Sequence, residues 1–158
     1  MRPEDVCLVD EHGAQLDGGS PSVELPMHLA VYGGRPEVGA VVHTHSPHAT
    51  AIALVVDEVP VVLAEQAAAV GGPIAVVPYA PTGERAMGEA VLSAGDGWAA
   101  IVRNHGSVCL GRNLVEALRC AFAVEEAAHV FAIARLHGEP ALLPQAEIAR
   151  LVRLSGRR

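Results

Sequence analysis

Two histidines one residue apart, His43 and His45, end the apolar run Val38-Gly39-Ala40-Val41-Val42. Side chains alternate across a strand, so these two imidazoles share one face while Thr44 turns to the other. Their Cα atoms then lie roughly 6.5–7 Å apart, which lets both rings converge on one divalent cation. His105 stands at the end of a second apolar run, Trp98–Arg103. Ligand sites tend to form at strand ends of layered α/β sheets. Three imidazoles leave a coordination position open, as in a catalytic rather than a structural zinc site. Glu24, at the start of a helix behind a Gly/Ser loop, can offer a displaceable oxygen or act as a base.

The elements that must position these residues follow from turn and cap signals. Val6–Asp10 and Ala14–Asp17 flank His12-Gly13 as a hairpin. Ser20 and Pro21 open a helix that Gly33-Gly34 stops, with Glu24, His28 and Tyr32 along one face. After the histidine strand, helices are expected over His48–Val56, Glu65–Val70 and Glu84–Ala94. Strands are expected over Val61–Ala64, Ile74–Val77, Trp98–Arg103 and Val108–Leu110. Asn104-His105-Gly106 reads as a turn in which Gly106 supplies positive φ. Asn113 caps a long helix with Glu116 as its capping-box partner, and that helix runs to His137. A last helix covers Pro144 to Leu154. Alternating strands and helices favour a sheet covered by helices on both faces.

A chain of 158 residues without an internal linker reads as one domain, residues 1–158. Hydrophobic residues make up 51 % but aromatic ones only 3 %, so the core must be aliphatic. A net charge of −7, with no basic cluster beyond Arg157-Arg158, argues against a nucleic-acid partner. No apolar window approaches the roughly 20 residues of a membrane span. Cys7, Cys109 and Cys120 are widely spaced and form no Cys-x-x-Cys pair, which fits a reducing cytoplasm.

Several stretches occur together in one order: Pro21-Ser22-Val23-Glu24, His28, Tyr32, Arg35-Pro36-Glu37, His43-Thr44-His45-Ser46-Pro47, Pro78-Tyr79-Ala80 with Gly83, and Asn104-His105-Gly106. In this the chain resembles the class II aldolase/adducin family over nearly its whole length. The resemblance implies a three-layer α/β/α sandwich with a central, largely antiparallel sheet, assembled as a homotetramer with sites at subunit interfaces. It implies one divalent ion per chain, Zn2+ first, with Mn2+, Fe2+ or Co2+ as alternatives. His43, His45 and His105 match the metal ligands, and Glu24 matches the glutamate that contacts the metal and moves the proton. Tyr79 matches a tyrosine that reaches a neighbouring subunit's site, and Ser22 a substrate-binding serine of the phosphate loop.

The implied reaction is retro-aldol cleavage of a small sugar or sugar-phosphate hydroxy-ketone through a metal-stabilised enediolate. Neutral imidazoles suit that task because they leave the ion its full charge. An epimerase, dehydratase or decarboxylase on the same metal, or a non-catalytic adducin-like or truncated binding domain, are the alternatives. The chain departs from the family pattern in three places. It holds neither the Gly-Asn loop nor the Thr-Pro-Ser-Gly loop that precede this region and bind phosphate, so it is expected to be short at its N-terminus. Val23 replaces the second of two serines, and no tyrosine follows the last helix. Among the remaining histidines, His28 is expected to be structural, His48 near the site but off the metal, and His12, His129 and His137 on the surface or in helix packing. At least one of Glu125 and Glu126 is expected to face solvent or a subunit contact.

Overall fold

The computed structural model describes Arg2 and residues 5–157 of the chain; Met1, Pro3, Glu4 and Arg158 lie outside the described residues. The expected hairpin is present as β1 (Leu8–Val9) and β2 (Gln15–Asp17), paired antiparallel. Its turn is held by the Asp10 carboxylate, which accepts from the N–H groups of His12 and Ala14.

Helix α1 (Leu25–Gly34) starts later than Ser20 and Pro21 suggested. Pro26 occupies a position near the helix start where its missing N–H costs nothing. The Ser22 hydroxyl accepts the Glu24 N–H at 3.1 Å, bending residues 22–24 into a turn ahead of the helix. Glu24 therefore sits at the N-cap, outside the helix. Next come β3 (Ala40–Thr44) and α2 (Pro47–Ile52). The latter stops short of Val56 because i→i+3 bonds from Leu54 to Ala51 and from Val55 to Ile52 tighten its last turn.

A strand expected over residues 61–64 is displaced to β4 (Glu58–Val59). Pro60 has no amide hydrogen to continue the ladder. Beyond it the buried Gln66 takes over, accepting the Val62 N–H and donating to the Val59 and Pro60 carbonyls. Gln66 itself lies in α3 (Ala64–Val70), which is followed by β5 (Ile74–Val77), α4 (Arg85–Ser93), β6 (Ala99–Val102) and β7 (Gly106–Gly111). The chain continues through α5 (Leu114–His137) and α6 (Gln145–Ser155). Asn113 caps α5 as its spacing predicts, its side chain accepting the Glu116 N–H at 3.0 Å.

The main sheet has the order β3-β7-β6-β5-β4. Its β3–β7, β7–β6 and β5–β4 pairings are antiparallel, and β5–β6 is parallel, so the expected largely antiparallel sheet is present with one parallel step. Helix α1 packs on α4, and α4 on β5 and β6, whereas α2 and α3 pack with α5 and α5 lies against β3 and β7. Met27, Ile74, Met87, Ile101 and Leu110 are fully buried in one aliphatic core. A Cβ on Gly88 of α4 would lie 2.7 Å from the Met27 carbonyl oxygen, so glycine there lets α1 and α4 approach closely. That contact holds the helix whose first residue follows Glu24.

Candidate active site

His43 is on β3, His45 follows the end of that strand, and His105 lies in the short β6–β7 turn. Asn104, not Gly106, takes the positive φ in this turn, at 61°. Asparagine tolerates the left-handed region because its short amide bonds locally. Gly106 serves a different need: a Cβ there would fall 2.4 Å from the Thr44 carbonyl oxygen and 3.1 Å from His45 Cδ2. Its missing side chain lets the two histidine-bearing segments close on each other.

The three imidazoles form a nearly equilateral group, with ring centroids 5.1, 5.0 and 4.9 Å apart. Nε2 of His105 lies 3.1 Å from Nε2 of His43 and 3.2 Å from Nε2 of His45. A tetrahedral ion with bonds of 2.0–2.1 Å separates its nitrogen ligands by about 3.3 Å, close to what is seen. Glu24 adds a carboxylate, with Oε1 3.7 Å from His105 Nε2. Its Oε2 is buried and has no hydrogen-bond partner among the described residues. A buried, unpaired carboxylate oxygen is costly, and a cation beside it removes that cost. The three imidazoles are placed so that they could hold a divalent ion, with the Glu24 carboxylate beside them.

Hydrogen bonds behind the rings set their state. His43 Nδ1–H donates to the Ser107 carbonyl at 2.9 Å, which leaves Nε2 unprotonated and facing the group. Burial pushes the His43 imidazole below its usual 6.5, and His105 and His45 push the same way against the Ser107 carbonyl and Glu24. His43 is therefore kept in its neutral, ligating form. On the opposite strand face, Thr44 Oγ1 lies 2.7 Å from Ser46 Oγ and 2.9 Å from Ser107 Oγ. Thr82 Oγ1 lies 3.4 Å from His105 Nδ1, in the loop before α4.

The remaining expected site residues lie further out. Tyr79 is 57 % exposed in the loop after β5, and its hydroxyl bonds to none of the described residues. Ser22 is exposed and contributes to the site through the Glu24 turn. His28, one turn along α1 from Glu24, is pushed below the usual imidazole value by burial, against the pull of Glu24. Sequence reasoning missed Ser107, Thr44, Ser46 and Thr82 as supports. Only Thr44 carried a signal, since strand alternation aims it away from the two histidines.

Fold and site together define an α/β protein whose three clustered imidazoles could hold a divalent cation, with a buried carboxylate beside them. A sequence model described as the class II aldolase and adducin N-terminal domain matches residues 1–132. The chain belongs to that family. It is 33 % identical over 153 residues to the 5-methylthioribulose-1-phosphate/5-deoxyribulose-1-phosphate aldolase of Rhodospirillum rubrum, covering 96 % of this chain and 69 % of that one. It is 34 % identical over 155 residues to the 5-deoxy-D-ribulose 1-phosphate aldolase of Bacillus thuringiensis serovar kurstaki, covering 96 % and 72 %. Among solved structures, an L-fuculose 1-phosphate aldolase superposes with a TM-score of 0.90 at 28 % identity, covering 98 % of this chain and 73 % of that one. Escherichia coli YgbL, named as a candidate aldolase/epimerase/decarboxylase, superposes at 0.84 with 29 % identity, covering 96 % and 75 %. No helix of the described residues is long and apolar enough to cross a membrane.

Proposed function

We propose that this chain is a divalent-metal-dependent aldolase, a lyase that cleaves a small sugar-phosphate hydroxy-ketone by retro-aldol chemistry. The observation that carries this reading is the convergence of three Nε2 atoms beside a buried, unpartnered Glu24 oxygen. His43, His45 and His105 would hold the ion, with Glu24 as a displaceable oxygen ligand. When bound, the ion supplies Lewis-acid stabilisation of the negative charge left on the donor half of the substrate. Glu24 is the group that takes and returns the proton, held at the N-cap by the Ser22 turn. Tyr79, solvent-facing in this chain, would serve the site of a second copy, its phenol oxygen taking the proton of the hydroxyl that becomes the aldehyde and returning it in the reverse condensation. Ser22 keeps its O–H to donate to substrate.

Zinc is the proposed ion, since three imidazoles and one carboxylate suit it, with Mn2+, Fe2+ and Co2+ as the alternatives to exclude. We read residues 1–158 as one domain around the single core, the assembly as a homotetramer, and its setting as the cytoplasm, in keeping with the free, buried Cys109 and Cys120. The likeness to YgbL favours epimerase or decarboxylase chemistry as the second reading.

Metal content per chain, measured on purified protein and on His43→Ala and His105→Ala, tests the site. Near one ion in the parent and loss in both variants is expected. The loaded parent is then given ketose 1-phosphates and their unphosphorylated forms. Aldehyde release supports the aldolase, whereas isomerised ketose, or carbon dioxide from a keto sugar acid given in parallel, supports the second reading. A parent that takes up no ion after reconstitution overturns both.

A further inference from the structure

We propose that Glu125, on α5, is a positioning residue for the metal-binding cluster, acting through the first turn of α2. This inference rests on the metal-centre reading above. Helix α2 begins two residues after His45, and the first N–H groups of any helix have no partner within it. Ser46, at the N-cap, leaves them unserved because its hydroxyl is engaged with Thr44. Glu125, 77 positions further along the chain, accepts instead from the His48 N–H at 3.0 Å and the His48 Nδ1–H at 2.7 Å through Oε1. Its Oε2 accepts from the Ala49 N–H at 2.9 Å. His129, also on α5, stacks on His48 with centroids 3.8 Å apart and closes the other side of that imidazole.

Such a cap would be ordinary helix stabilisation if α2 were isolated from the site, but its first turn is bonded toward every histidine of the cluster. Ser46 and Thr44 join the hydroxyl of Ser107, whose carbonyl receives the Nδ1–H of His43. Thr50 Oγ1 donates to the Ser46 carbonyl at 2.8 Å and lies 3.5 Å from the carbonyl of His105. His45 is covalently continuous with the turn. Residues 46–50 thus sit where the segments bearing all three rings meet, and Glu125 is the group from outside that anchors them. Burial disfavours its charge, yet the Ala49 and His48 N–H groups outweigh that and hold the carboxyl below the usual range, so the anchor is ionised at neutral pH. Outer partners of this kind set ligand orientation and affect affinity about 10- to 100-fold.

The test uses the full chain, with Co2+ as a visible-absorption probe and Zn2+ competed against a chelator. Variants Glu125→Ala, Glu125→Gln and Thr50→Val are compared with Ile74→Ala, a core change on β5 outside this set of bonds. Glu125→Ala should weaken Zn2+ by about 10- to 100-fold and alter the Co2+ bands. Glu125→Gln keeps one acceptor oxygen and should fall between it and the parent. Thr50→Val should weaken binding in the same direction, which keeps the proposal testable should Glu125→Ala not fold. Ile74→Ala should lower the melting temperature while keeping the parent's affinity and spectrum. Parental affinity and bands in Glu125→Gln and Thr50→Val overturn the positioning role alone. So does an affinity that tracks melting temperature across all variants. A parent without Co2+ bands overturns the metal-centre reading as well.

Discussion

Nε2 of His43 and Nε2 of His105 face each other at 3.1 Å across 62 positions of sequence. With the proton of His43 committed to the Ser107 carbonyl, two nitrogen lone pairs at that distance repel unless a proton or a cation lies between them. In the metal-free chain an Nε2–H of His105 meets this by donating to His43, and a bound ion takes the place of that proton. A ligand present at 100 times its dissociation constant stabilises the folded state by about 2.7 kcal/mol. Melting temperature should rise with added Zn2+ in a concentration-dependent way and fall with a chelator. Identical melting with and without the ion would contradict the site.

Glu24→Gln removes the charge and the basicity while preserving shape. Turnover should fall by about 10²–10⁴, the usual range for a positioned acid/base group, while the three histidines retain the ion. Steady-state rates normalised to metal content read this directly. A rate within about tenfold of the parent would remove Glu24 from proton transfer.

In the metal-free chain, His28 and His43 are both held below the usual imidazole value, each chiefly by burial. The unfolded chain takes up protons at these residues near pH 6.5 while the folded chain does not. Their contribution to stability is thus complete above about pH 6.5 and is lost as pH falls through the lower, folded values. Chelator-treated protein should melt lower at about pH 5.5 than at about pH 7.5, and His28→Gln should flatten that difference. Greater stability on the acid side would show that neither ring is buried neutral.

The β6–β7 turn makes two backbone demands: the positive φ, expected at Gly106, falls on Asn104, and the close approach falls on Gly106. Asn104→Gly should be nearly neutral because φ is 61° there, whereas Asn104→Ala should cost on the order of 1 kcal/mol. Gly106→Ala should do more damage, since its methyl group meets the Thr44 carbonyl and the His45 ring. Chemical denaturation together with metal titration separates the two, because the Gly106 change should weaken ion binding beyond its effect on stability.

Local signals carried much of this structure. Strand alternation placed His43 and His45 on one face, and the Asn113–Glu116 spacing predicted a cap that is observed. What failed depended on partners distant in sequence or on side chains doing backbone work. The residues after Pro60 look like a strand, but the Val62 N–H donates to Gln66 and the Val61 carbonyl accepts the Leu143 N–H, so neither joins a ladder. Ser22 shortened α1 by binding the Glu24 N–H, a choice that composition leaves open. The sequence shows Glu125 only as one of two adjacent carboxylates, at least one expected to face solvent or a subunit contact, because its partners lie 76 and 77 positions away.

The pairing of β3 with β7 sets residues such as Val41 and Leu110 side by side, so it cannot form until the chain has been made through β7. Closing a loop of 62 residues costs about 4 kcal/mol in chain entropy, and non-local pairing of this kind slows folding. Until it closes, His43 and His45 lack His105, the third imidazole of the group. An ion held by His43, His45 and His105 would thus wait for β3 and β7 to pair, and it would lock their junction rather than nucleate it.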